Sequence, residues 1–166
     1  MIFVTVGTHE QQFNRLIEKI DRLIECGCIK EEVIIQSGFS TYSSKNCKCE
    51  KIIPYSQMIN NIKKARIVIT HGGPATFIMP LQVGKIPIVV PRQKQYDEHV
   101  NDHQVDFAKL VKERQGNIIL VEDINDLEKA IKEYDNIIEE MPKEMASNNM
   151  QFNIKFKEIV NSLNIR

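Results

Sequence analysis

The densest run of residues able to do chemistry is Val68-Ile69-Thr70-His71-Gly72-Gly73-Pro74-Ala75-Thr76: an apolar segment, a paired-glycine turn and a proline suited to the first position of a helix. A strand that ends in such a turn lets backbone approach a ligand closely. The helix that follows presents unpaired N–H groups and partial positive charge. Together they make a seat for a diphosphate, with Gly72, Gly73 and Ala75 as backbone donors and Thr76 as a hydroxyl donor; Pro74 has no N–H to give. The same glycines would also serve a tight strand-to-helix turn that binds nothing.

A second concentration follows Gly84-Lys85-Ile86-Pro87-Ile88-Val89-Val90-Pro91. Arg92 and Gln93 come directly after an apolar run, and Tyr96-Asp97-Glu98-His99-Val100-Asn101-Asp102-His103-Gln104 crowds polar and ionisable groups into one stretch. Groups placed just beyond the carboxyl ends of successive strands sit where open α/β sheets bind ligands. Glu98, Asp102, His99 and His103 share faces at helical spacing, and His-x-x-x-His invites a metal reading; lacking a third ligand, hydrogen bonding to a ligand is preferred and no metal is expected. A surface helix position would also account for either histidine. The first turn, Gly7-Thr8-His9-Glu10, departs from Gly-x-Gly-x-x-Gly, and the second apolar run ends at Gln36 where an acidic ribose ligand would stand, so a nicotinamide cofactor is not expected.

The elements that must position these groups are legible as apolar runs: Ile2–Val6, Val33–Ile35, Ile52-Ile53, Ile67–Ile69, Ile86–Val90 and Ile118–Val121. They lack polar alternation, as strands covered on both faces do. Helical spacing lies between most of them, in the segment from Phe13 to Ile24, in Tyr55–Ala65, Val100–Lys112 and Asp123–Tyr134. Thr8 followed by Gln11 fits a capping box, which would start the first helix beside the glycine turn. Alternating strands and helices predict an α/β fold: a Rossmann-like parallel sheet with helices on both faces. One domain is expected over residues 1–141, with residues 142–166 forming a connection and a last helix, marked by Phe152, Phe156, Ile159 and Leu163, that packs on its own sheet or docks on a partner.

Composition narrows the partners. Twenty-two basic residues balance 22 acidic ones, without a long block of either sign, so no nucleic-acid footprint is visible. No apolar run approaches the roughly 20 residues that span a bilayer, and the start lacks a signal peptide's basic region, so a cytoplasmic protein is expected. The four cysteines form two Cys-x-Cys pairs, Cys26/Cys28 and Cys47/Cys49. Reduced thiols are expected there rather than disulfides or zinc.

Val4-Thr5-Val6-Gly7-Thr8, His71-Gly72-Gly73-Pro74-Ala75-Thr76, Gly84-Lys85-Ile86-Pro87, and Val90-Pro91-Arg92 through His99-Val100-Asn101-Asp102-His103-Gln104 resemble the C-terminal domain of family 28 glycosyltransferases over nearly the whole chain. Within that group the sequence is most similar to the small stand-alone subunits of bacterial capsular and exopolysaccharide synthesis, and to the cytosolic subunit of the dolichol-linked N-acetylglucosaminyltransferase. The resemblance implies one half of a GT-B fold that binds a UDP-sugar, UDP-galactose or another UDP-hexose, while a membrane-anchored partner binds a lipid-linked saccharide acceptor and recruits this chain to the inner face of the membrane. It implies an inverting transfer without metal or other cofactor. One departure stands out: single-chain relatives carry a ribose-binding glutamate where Met79 stands here, and Pro80 is expected to kink or end that helix early.

On this reading the donor site comprises Gly7, Thr8, His71, Gly72, Gly73, Ala75, Thr76, Arg92, Glu98, His99, His103 and Gln104. Thr8, the Gly72–Thr76 turn and Arg92 would stabilise charge on the leaving diphosphate, and Glu98, His103 and Gln104 would contact sugar or diphosphate. His9 is a candidate general base, alongside a base supplied by the acceptor-binding half. Little transfer is expected from the chain alone. A non-catalytic subunit that enhances or stabilises a partner glycosyltransferase is the alternative, and a hydrolase or epimerase ranks last for want of a nucleophile-and-base pair.

Overall fold

The computed structural model describes residues 1–141, in which six short strands form one sheet and every neighbouring pair runs parallel. They are β1 (Ile2–Thr5), β2 (Val33–Gln36), β3 (Lys48–Glu50), β4 (Ile67–His71), β5 (Ile88–Val90) and β6 (Ile119–Leu120), in the order β3-β2-β1-β4-β5-β6. Crossovers are made by α1 (Asn14–Glu25), α2 (Tyr55–Lys64), α3 (Pro74–Gln82) and α4 (His103–Gln115), and α5 (Leu127–Lys132) and α6 (Tyr134–Glu140) follow β6. This is the expected Rossmann-like α/β sheet. The segment 142–166 lies outside the described residues.

Alternation along each strand sets the layers, because successive side chains point to opposite faces. Ile2 and Val4 of β1 pack with Ile67, Ile69, Ile88 and Val90 against Leu16, Ile17, Ile20 and Leu23 of α1 and Leu127, Ile131 and Tyr134 of α5 and α6. Phe3 and Val68 face the other way, onto Ile62 of α2 and Met79 of α3. Val89 meets Phe77 of α3 and Ala108 and Val111 of α4. Covered on both sides, the central strands need no polar alternation.

The chain walks outward from β1 to β3 in one direction and from β4 to β6 in the other. The connections leaving β1 and β4 therefore part company at their carboxyl ends, the place where open α/β sheets bind ligands. Gly7 and Thr8 follow the end of β1, Gly72 to Thr76 follow β4, and Arg92 follows β5.

Four expectations about elements need correction. The first helix starts at Asn14, not at Thr8, and Thr8–Gln11 is no capping box: Phe13 is the N-cap residue without a side-chain cap. Two side chains take over that work, the Ser40 hydroxyl accepting from Phe13 N–H at 3.1 Å and Gln12 Oε1 from Asn14 N–H at 2.7 Å. The third strand is Lys48–Glu50, not Ile52-Ile53; as an edge strand paired on one side, it has no need of an apolar run, while Ile53 is buried beneath α2 and Ile52 is exposed. Pro80 neither ends α3 early nor stops its last turn, since a proline near the end removes one hydrogen bond and α3 runs on to Gln82. α4 begins at His103, so Glu98, His99 and Asp102 precede it and do not share a helix face with His103.

Candidate functional site

The turns after β1 and β4 meet through one side chain. His71, the last residue of β4, is buried, and its ring fills the space between Gly7 and Gly73. A Cβ on Gly7 would stand 2.5 Å from His71 Nε2, and one on Gly73 would stand 2.2 Å from Cε1. Gly7 also holds φ +76°, a conformation side chains disfavour. Both positions therefore require glycine.

Hydrogen bonding fixes the His71 tautomer. Nδ1 accepts from Gly73 N–H at 3.0 Å, so the proton sits on Nε2 and is donated to Thr76 Oγ1 at 2.8 Å. Gln104 Oε1, 3.4 Å from Nδ1, makes no hydrogen bond there because that nitrogen is already an acceptor; Oε1 instead accepts from Arg92 N–H at 3.2 Å. Burial, followed by the charge of Arg92, brings the His71 pKa down to about 4 and keeps the imidazole neutral.

These bonds revise the diphosphate seat. Gly73 N–H is spent on His71 and is not a ligand donor, correcting the expectation for that group. Thr76 N–H bonds back to Gly73 O at 3.0 Å. Ala75 is exposed in the first turn of α3, where an N–H has no intrahelical partner, and Thr76 Oγ1, which accepts from His71, keeps a hydroxyl hydrogen to donate, with the helix dipole behind both. Gly72 is packed closely: an added Cβ would come within 2.8 Å of Gln104 Cβ and 3.0 Å of Pro91 Cβ.

A cleft of about 590 Å³ opens between this turn and α4. Gly72, Gly73 and Pro74 form one wall, and His99, His103, Gln104, Phe107 and Leu110 form the other. Its size suits a small organic ligand, with an apolar wall and a few polar groups.

Arg92 and Glu98 do not reach this cleft with their charged ends, contrary to the expected contacts with sugar or diphosphate. Arg92 is fully buried; Nη1 donates to the carbonyls of Gln11, Gln12 and Glu98 at 2.9, 2.9 and 3.0 Å, and Nη2 donates to Val6 O at 2.9 Å. It thus pins the 7–13 loop to the end of β5. Burial depresses its pKa to about 10, so it stays charged at neutral pH and acts on His71 and His9 as a field rather than as a contact. Glu98 is also fully buried, held by Arg15 through paired 2.9 Å bonds and accepting from Gln93 N–H at 3.0 Å. Two carboxylate oxygens engaged by a guanidinium fork have little left for a substrate.

His9 lies against His99 of the cleft wall, with ring centroids 4.9 Å apart. Thr8 is exposed beside them. His9 Nδ1 accepts from Gln11 N–H at 3.2 Å, which places its proton on Nε2. Burial, Arg92 and His99 lower its pKa. His9 is therefore a neutral donor in this arrangement, and Nε2 would have to lose its proton before acting as a base. Among the described residues, no group of three or more His, Cys, Asp or Glu side chains could hold a metal ion, and no helix is long and apolar enough to cross a membrane.

The model of the glycosyltransferase family 28 C-terminal domain matches residues 1–163. The chain belongs to this family. Among solved structures, the glycotransferase of kitacinnamycin superposes with a TM-score of 0.57 at 16% identity, over 80% of this chain and 34% of that one. The glycosyltransferase SnogD from Streptomyces nogalater gives a TM-score of 0.49 at 19% identity, over 91% of this chain and 43% of that one. The family 28 domain thus spans less than half the length of either, and its fold is one half of GT-B. No curated protein matches the chain.

Sequence reasoning overlooked Arg15, Gly38, Phe107 and Leu110. A Cβ on Gly38 would lie 2.3 Å from Gly7 O, and the glycine just beyond β2 was the available signal. Phe107 and Leu110 are exposed beside the buried Ala108 and Val111, a second apolar stripe on α4. Nothing near Arg15 in sequence points to Glu98.

Proposed function

We propose that this chain is the donor-binding subunit of a two-component inverting glycosyltransferase. It holds a UDP-sugar while a membrane-anchored subunit presents a lipid-linked saccharide, and together they add a hexose in capsule or exopolysaccharide synthesis. The observation that carries the reading is the cleft at the start of α3 in a chain that matches the donor-side family along its length.

An acceptor hydroxyl attacks the anomeric carbon from the side opposite the departing UDP, and negative charge grows on the diphosphate. Ala75 N–H, the Thr76 hydroxyl and the α3 dipole are oriented for that charge before it develops, which is where fixed donors lower a barrier most. Arg92, Glu98 and His71 act as positioning residues. Gln104, His103 and the Nε2–H groups of His9 and His99 face the sugar or the diphosphate. The base comes from the acceptor-binding half, since His9 presents a proton rather than a lone pair.

Calorimetric titration with UDP and a panel of UDP-sugars tests this, for the chain alone and with a membrane-anchored partner. Saturable binding is expected. Gly72→Asp, which puts a carboxylate at the anion seat and a Cβ against Gln104, should weaken UDP at least about tenfold, or roughly 1.4 kcal/mol, in a protein with unchanged near-ultraviolet circular dichroism. A folded Gly72→Asp variant with unaltered UDP affinity sinks the diphosphate seat. No UDP binding in either state leaves the non-catalytic enhancer.

A further inference from the structure

Away from the cleft, α1 ends in a feature the transfer reaction does not use. Cys26 caps the helix, its N–H bonded to Arg22 O at 3.0 Å, and Gly27 then turns the chain at φ +73°, with open space where a side chain would stand. That turn brings Cys28 Sγ to 3.0 Å from Cys26 Sγ, and Cys28 Sγ lies 3.4 Å from Glu128 Oε1 at the start of α5. Both are free thiols, Cys26 exposed and Cys28 half-buried. The two sulfurs stand within about 1 Å of the disulfide bond length.

We propose that Cys26-Gly27-Cys28 is an oxidisable dithiol that closes to a reversible intrachain disulfide, with a low-molecular-weight disulfide such as glutathione disulfide as the oxidant. Cys26 is the attacking thiol: it is the more exposed, and its hydrogen bond with Cys28 lowers its pKa. Its thiolate attacks one sulfur of glutathione disulfide, forming a mixed disulfide and expelling glutathione thiolate. Cys28 then attacks Cys26 Sγ, forming the Cys26–Cys28 bond and expelling a second glutathione thiolate. The protein thiols lose two electrons, the oxidant gains them, and the thiol protons end on the two glutathiones. Before the first step Cys28 is held up to about 11, chiefly by its hydrogen bond with Cys26; the mixed disulfide removes that bond and frees Cys28 to attack.

The site lies where α1 ends, at the end of the sheet opposite the cleft, and does not depend on the donor-site reading. The test exposes the whole chain anaerobically to excess glutathione disulfide, alkylates remaining thiols with a maleimide and maps peptides by mass spectrometry. The segment from Leu23 to Lys30 is expected to be unalkylated and lighter by two hydrogens, with both thiols restored by dithiothreitol. Cys28→Ser should trap glutathione on Cys26. The proposal is overturned if Cys26 and Cys28 both stay alkylatable, if wild-type Cys26 stops at the glutathione adduct, if either pairs with Cys47 or Cys49, or if Cys28→Ser gains no adduct.

Discussion

The turn after β1 and the turn after β4 begin alike, as a strand running into a glycine turn against the same His71 ring, yet they are held by opposite means. The β4 turn is short and supports itself: His71, Gly73 and Thr76 satisfy one another within six residues, and α3 starts at once. The β1 turn runs from Gly7 to Phe13 before α1 begins, and its carbonyls are held by an arginine about 80 residues away. A local hydrogen-bond ring and a remote clamp thus reach the same end, a fixed backbone above the sheet. The difference is in what each needs to survive.

The largest effect should come from removing the clamp. Arg92→Met leaves the carbonyls of Val6, Gln11, Gln12 and Glu98 without their donor, and unsatisfied buried groups cost about 1–3 kcal/mol each. A loss of at least about 3 kcal/mol is expected, lowering the thermal midpoint by roughly 6–12 °C. An unchanged midpoint in a calorimetric scan would mean the first loop supports itself, erasing the contrast.

Next comes a pH dependence that belongs to the second turn. With a folded pKa near 4, His71 takes up protons less readily in the native chain than in the unfolded one, whose imidazole titrates near 6.5. Unfolding then binds a proton between those values. Stability from this group is complete above about pH 6.5 and falls as pH drops toward 4, by on the order of 3 kcal/mol. Urea unfolding across that range should show the slope in wild type and a shallower one in His71→Gln.

The smallest effect separates the glycines. Gly73→Ala and Gly7→Ala both thrust a methyl into the His71 ring, but only Gly7 also carries positive φ, worth about 1–2 kcal/mol against a side chain. In a His71→Ala background the Gly73→Ala cost should vanish and the Gly7→Ala cost should persist. Equal rescue of both would show that backbone strain at Gly7 is negligible.

The same contrast explains what could be read in advance. The hydrogen bonds that close the β4 turn lie within one nonapeptide, so strand, glycine pair, proline and helix start were legible together. The parallel sheet followed from apolar runs spaced by helical ones. The roles of Arg92 and Glu98 were not legible: an arginine after a strand near a cleft looks the same whether it faces a phosphate or the backbone beneath it, and only Arg15 and the carbonyls of Gln11 and Gln12 decide the matter. For the same reason Thr8–Gln11 misled, since a capping pattern cannot compete with a loop held open by a distant guanidinium. β3 escaped because an edge strand need not be apolar.

That edge has a consequence for handling the protein. β3 exposes Lys48 and Cys49 beside the half-buried Glu50, joined to Lys48 by a 2.8 Å ion pair, and β6 at the other margin is two residues long. A charged margin and one too brief to template pairing both resist the addition of a foreign strand. The sheet should therefore not polymerise through its borders, and the chain should tolerate the high concentrations that calorimetry demands.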